Sequence, residues 1–236
     1  YQRLNRYDID FLPRTGDDID ICQVRKGITK YVLDRCDYDS QESQAFLDAA
    51  IGGLGWLDVG YEFDDELQDG EAFVKREDPF GSYVDPEARK PDFSDAKYIC
   101  RAKWVDKDEL IDVYPEHKEE IEAQFSVYDP AEQEVENVRP DPLWFKSDIK
   151  KVRLVECWYK TKKKVTMFFL QDGSMVPQED VTVDMFLQGL IAGQEKISVT
   201  KVRVCSFFDT VLLEDIDSPY QHGEFPLVPI MCYSFG

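Results

Sequence analysis

The sequence predicts an α+β fold, with helices packed on a mixed or antiparallel sheet in the N-terminal part and a β-rich C-terminal part. Three observations carry this. Before residue 53, two stretches combine acidic caps with apolar residues at helical spacing. From residue 54 to residue 104 the pattern changes to short runs of strand character, interrupted by Asp-Pro and Lys-Pro pairs. Beyond residue 148 most of the chain consists of apolar runs of strand length, with one short helical stretch. The expected organisation is an α+β part over residues 1–125, an acidic, proline-containing connector over 126–147, and a β-rich part with one short helix over 148–236.

Taken in order, residues 7–12 alternate as a short strand before Pro13. Asp17 and Asp18 supply an N-cap and a negative first turn for a helix reaching about Cys36, with Ile21, Val24, Ile28, Tyr31 and Val32 on one face. Asp39 and Glu42 stand at capping-box spacing before a second helix. Its Ala45, Phe46, Ala49 and Ala50 are expected to point inward, and Gly52-Gly53 stop it in the left-handed conformation. Residues 54–63 place Leu57, Val59, Tyr61 and Phe63 on one side of a half-buried strand, and Asp69-Gly70 turns the chain into a strand over 73–76. The small residues of AAIGGLG are expected to let helix and strand approach closely. A glycine-rich nucleotide loop has the opposite order, strand before helix.

Asp78-Pro79, Asp85-Pro86 and Lys90-Pro91 punctuate an irregular crossing, because a residue before proline is pushed out of the helical basin. A strand over 96–104 follows. Asp106 and Glu109 then read as a capping box for a helix stopped at Pro115. A charged helix over 116–125 leads into the connector, with Asp129-Pro130, Pro140 and Asp141-Pro142. Strands over 152–159 and 165–170 are expected to join across the lysines of KTKKK. Asp172-Gly173 makes a turn, a helix over 179–192 stops at Gly193, and strands cover 197–208, 211–213 and 227–233.

Charge and reactive residues bound the chemistry. Against 28 Lys and Arg stand 48 Asp and Glu, a net charge of −20, with 43% apolar residues, so the chain reads as soluble and folded rather than disordered. It has no apolar run of about 18 residues that would span a membrane. Beginning at Tyr1 without a leader, it reads as part of something longer. The six cysteines form no CxxC pair, which argues against zinc, and reduced buried thiols are expected. His117 and His222 read as surface histidines with no nucleophile beside them. Asp64-Asp65-Glu66 and Glu214-Asp215 lack the spaced ligands and central glycine of a calcium loop and read as solvated faces. Trp56, Trp104, Trp144 and Trp158 read as core anchors. Neither a catalytic set, a metal site nor a cofactor is expected. Lys160, Lys162, Lys163 and Lys164 form the one basic cluster, either a solvated hairpin tip or a contact to DNA or to a partner's acidic patch.

The run DPFGSYVDPEARKPDFSDAKYICRAKWVDKDELIDVYPEH resembles a characteristic segment of the portal proteins of podovirus-type, short-tailed bacteriophages and prophages. QAFLDAAIGGLGWLDVGYEF upstream, and VECWYKTKKKVTMFFLQDGSMV and GEFPLVPIMCYSFG downstream, agree in order and extend the resemblance over most of the chain; the match is weaker over residues 171–197. The resemblance implies a non-enzymatic subunit of a ring, usually of twelve, at one capsid vertex, through which double-stranded DNA is packaged and ejected. It implies the wing region, without the crown, the channel-lining stem or the clip. The implied partners are further copies of the chain, terminase, capsid, scaffolding and head-completion proteins, and DNA in transit that is not tightly held. The implied location is the portal vertex of the virion after assembly in the host cytoplasm. Two other readings stand beside it: an acidic phage-encoded hydrolase using a carboxylate pair, for which the sequence offers no preferred pair, and a different head or tail adaptor, which would leave the four ordered segments unexplained.

Overall fold

Helix α1 (Ile19–Arg35) starts at Asp18, but the aspartate side chain makes no cap hydrogen bond. The structure, a computed structural model, describes residues 9–14, 18–64, 69–127, 144–146, 149–171, 173–178, 181–182, 185, 189–220 and 222–232. Residues 9–12 are irregular rather than a strand. The chain packs as two compact units, Tyr1–Arg101 with Phe225–Gly236, and Ala102–Glu224.

In the first unit α2 (Tyr38–Gly52) begins after Asp37, which takes the left-handed conformation at φ 49°, so the expected cap at Asp39 is displaced two residues upstream. Gly53, at φ 88°, ends the helix as its sequence predicts. An antiparallel sheet follows in the order β10 (Leu227–Met231), β1 (Leu54–Asp64), β2 (Asp69–Glu77). Alternation along β1 sends neighbouring residues to opposite faces. Leu57 packs with Ala45 of α2 and Val74, whereas Trp56 packs with Ala96, Ile99 and Leu227 and stacks on Phe93 with ring centroids 5.6 Å apart.

Gly55 shows how close α2 comes. A Cβ there would lie 2.0 Å from the carbonyl oxygen of Ala45, so the expected close approach of helix and strand is present. Other expectations of burial fail. Phe46 and Ala50 are exposed, and beyond Leu57 so are Val59, Tyr61 and Phe63. The apolar stripe of α1 is exposed as well, with Ile21, Val24, Ile28 and Tyr31 each more than half accessible. Periodicity marks an apolar face, but it does not place a neighbour against it. Asp69 and Gly70 are already part of β2, paired with Asp64 and Phe63, instead of forming the turn.

The crossing is ordered by aspartates rather than by regular structure. A 3-10 turn at Pro79–Gly81 leads to the short strand β3 (Ser82–Val84), paired with β4 (Tyr98–Asp106). Asp78 accepts from the Phe80 amide at 3.0 Å, and Asp92 from that of Ser94 at 3.1 Å. Asp85 accepts from the amides of Glu87 at 2.9 Å and Lys97 at 3.0 Å, and Asp95 from those of Arg89 at 2.8 Å and Lys90 at 3.2 Å. Amides that proline-broken backbone leaves without strand or helix partners are thus satisfied by side chains. These amide bonds hold the carboxyls of Asp85, Asp92 and Asp95 below their ordinary pKa. A carboxylate whose pKa is depressed on folding contributes stability above its unfolded pKa of about 3.9 and loses it as pH falls through the lower folded value. Asp85→Asn turns an NH2 group toward one of the two amides. It is expected to lower the urea midpoint at pH 7 without changing the m-value, and to flatten the loss of stability in acid; equal midpoints for variant and parent across that range would contradict this role.

In the second unit α3 (Lys107–Val113) and α4 (Lys118–Val127) bring Leu110 and Ile121 against Phe145, Val152, Phe208 and Leu213. Phe145 meets Phe208 and Phe125 edge-on. The expected capping box at Asp106 is not formed: its carboxylate makes no cap bond and pairs with Lys151 at 3.2 Å. The end of β4, β6 (Lys151–Leu170), β8 (Ile191–Phe208) and β9 (Val211–Asp217) lie side by side, and β5 (Phe145–Lys146) and β7 (Met175–Pro177) pair with β6.

The largest departure from the sequence reading lies in β6. Its 20 residues run through the KTKKK segment without a break, so the lysines sit in mid-strand and not at a hairpin tip. Thr, Val and Tyr around them favour extended backbone, and β8 pairs with every residue from Val155 to Phe169. Because β8 begins at Ile191, the helix expected over 179–192 does not reach Gly193, and much of that stretch lies outside the described residues, as does most of the connector. Turn formation near Gly173, at φ 86°, agrees with the sequence. Cys22, Cys36, Cys205 and Cys232 are free thiols, whereas Cys100 and Cys157 are each disulfide-bonded, contrary to the expectation of reduced thiols, because spacing along the chain carries no information about disulfide formation.

Candidate interaction surface

Alternation along β6 sorts the basic cluster. Lys160, Lys162 and Lys164 share one face, about 6.6 Å apart from one to the next, and Lys163 points to the other. The antiparallel register places Val202, Thr200 and Ser198 directly opposite the three, and Lys196 opposite Thr166, so Lys196 joins the same face. Lys162, Lys163, Lys164 and Lys196 are exposed and form no ion pair among the described residues. Sequence separation hid Lys196, which only the strand register brings beside Lys164.

At the other end of the ribbon this face carries Trp158, buried, with its indole N–H donating to Glu156 at 2.6 Å. Tyr220 stacks on Trp158 at 5.8 Å, and His222 on Tyr220 at 5.5 Å. His222 is a structural acceptor, its Nδ1 taking a hydrogen bond from the Glu224 amide at 3.0 Å. His117 is paired with Glu120 at 3.1 Å.

The opposite face of the ribbon is held by Arg203. Its guanidinium donates to Asp215 at 3.0 Å, to Asp217 at 2.7 Å and to the Tyr159 hydroxyl at 3.2 Å, while that hydroxyl donates to Asp215 at 2.8 Å. The bonds from Tyr159 and Arg203 hold the Asp215 carboxyl below its ordinary pKa. This clamp joins β6, β8 and β9 through Asp215, which stays exposed as its sequence reading as part of a solvated face expects. Asp64-Asp65-Glu66, the other acidic cluster, falls largely outside the described residues. No group of three or more His, Cys, Asp or Glu suited to a metal ion occurs among the described residues.

A third feature has the opposite sign. Asp108, Glu109, Asp112, Glu116 and Glu119, on α3, α4 and the 3-10 turn Pro115–His117 between them, are all exposed. The inward faces of these helices hold Leu110 and Ile121, which leaves the carboxylates at the surface. The unit thus displays a basic strand face and an acidic helix surface.

The family model of the phage P22-like portal proteins matches residues 1–235. The chain belongs to that family. A search of the curated proteins finds no match. The P22-like portal protein is a structural subunit of a phage portal, a homo-oligomeric ring at the capsid vertex that serves as the conduit for DNA. That role needs surfaces more than reactive groups.

Proposed function

We propose that this chain forms the wing of a portal ring of twelve copies and acts without catalysis. The family match over residues 1–235 carries the reading. The exposed apolar residues of α1 support it, since a subunit built for assembly keeps apolar surface for its neighbours. Terminase, capsid, scaffolding and head-completion proteins are the further partners, met through the full-length portal polypeptide, and DNA passes through without being gripped. Assembly takes place in the host cytoplasm.

Negative-stain imaging of the full-length polypeptide tests the ring. Closed rings of one size are expected, because a head-to-tail contact either closes or runs on as a filament. Open filaments or monomers at all concentrations would overturn the reading. Under the same conditions no turnover of peptidoglycan, nucleotides or DNA is expected with magnesium, manganese or zinc; turnover abolished by one Asp or Glu substitution would favour the hydrolase.

A further inference from the structure

We propose that the lysine face of the β6–β8 ribbon docks on the acidic surface of α3 and the 3-10 turn after it in a second copy, as one of the contacts that join neighbours in the ring. The inference rests on the ring reading above and names two surfaces for it. A closed ring of identical subunits uses a heterologous contact, in which each copy offers two different and mutually complementary patches. The second unit carries such a pair: Lys162, Lys164 and Lys196 on the ribbon, and Glu109 and Asp112 on α3 with Glu116 in the 3-10 turn that follows it. All six are exposed, and none has an ion-pair partner among the described residues.

Spacing supports the match. Lys162 and Lys164, at alternate positions of β6, are about 6.6 Å apart, and Glu109 and Asp112, three residues apart on α3, are about 5–6 Å apart at their Cβ atoms. These two pairs can therefore meet in register. Net charge argues in the same direction. Copies that each carry −20 repel one another when gathered in a ring, and unpaired cations at the contact offset that repulsion where it is strongest. Duplex DNA is the less favoured occupant, because the field of the chain repels phosphate beyond the immediate reach of the lysines.

Charge exchange in the full-length portal polypeptide tests this. Lys162→Glu, Lys164→Glu and Lys196→Glu together are expected to raise the concentration for half-assembly by about tenfold or more, since like charges then face each other across the contact. Glu109→Lys, Asp112→Lys and Glu116→Lys together should do the same. A chain carrying all six changes should recover assembly, because each contact again joins opposite signs. Circular dichroism and the unfolding midpoint of each variant verify that it is folded. Rings that form in either triple variant as in the parent, or that fail to return in the sixfold variant although it is folded, would overturn the proposal while leaving the ring reading intact. A parent that forms no ring defeats both. Fluorescence anisotropy with a labelled duplex provides the second arm: binding weaker than about 10⁻⁴ M near 0.15 M salt is expected for parent and for Lys162→Ala/Lys163→Ala/Lys164→Ala alike. A micromolar, salt-dependent affinity lost in that variant would assign the lysines to DNA and overturn the proposal.

Discussion

Arg101→Met is expected to destabilise the first unit by about 3–5 kcal/mol, the cost of leaving buried charge without its counter-charge. The Arg101 guanidinium bonds the Asp58 carboxylate and lies 3.5 Å from that of Glu77. Both carboxylates are buried, and all three side chains are less than one-fifth accessible. The strand pairing explains why they meet. Asp58 on β1 and Glu77 on β2 are diagonal neighbours on one sheet face, because Glu77 stands opposite Trp56 and Lys75 opposite Asp58. Methionine fills a similar volume and removes the charge, so the loss reports electrostatics more than packing. Arg101→Lys should recover only part of it, since an ammonium lacks the planar fork that serves two carboxylates at once. Urea unfolding followed by tryptophan fluorescence reads the change as a lower midpoint at constant slope. A methionine variant within about 1 kcal/mol of the parent would show that solvent reaches the triad and that the pair is of the weak surface kind.

Gly55→Ala should have the next largest effect, at the upper end of the 1–3 kcal/mol that overpacking typically costs. The added methyl would lie 2.0 Å from the Ala45 carbonyl oxygen and 2.9 Å from its carbon. Both are backbone atoms of α2, so no side chain can rotate away, and the helix must lift from the strand. That movement also separates Ala45 and Ala49 from Leu57 and Val74 and loses burial beyond the site of the clash. Gly27 is the control. It lies inside α1 with open space around it, and Gly27→Ala is expected to stabilise by about 0.5–1 kcal/mol through helix propensity alone. If the two alanines shift the midpoint alike, the close approach of α2 to β1 is wrong.

The sequence shows its local structure where the cause is local. Gly53 ends α2 because a residue without Cβ takes positive φ at little cost, and the Asp-Pro pairs break regular structure while their carboxylates satisfy nearby amides. Strand and helix types follow from period for most elements, and the four ordered segments already pointed to the portal family. The basic cluster was visible too, but its form was misread. KTKKK looks like a tip when read alone, since charged residues are common in turns and scarce in covered strands. Its strand conformation comes from pairing with residues 198–202, more than thirty positions away.

What the sequence determined by itself is therefore the class of fold, the main breaks in the chain and the strongly acidic balance, because each depends on residues a few positions apart or on composition alone. Tertiary structure decided the rest. It brought Leu227–Met231 back against β1, into the same unit as the first hundred residues, and it assembled Arg101 with Asp58 and Glu77, and Arg203 with Asp215 and Tyr159. It also left the apolar stripe of α1 uncovered and placed Lys196 beside Lys164. These outcomes depend on which strands pair and in what register. A shift of one residue would send the strand side chains among these to the other face, and no local feature of the chain specifies that choice.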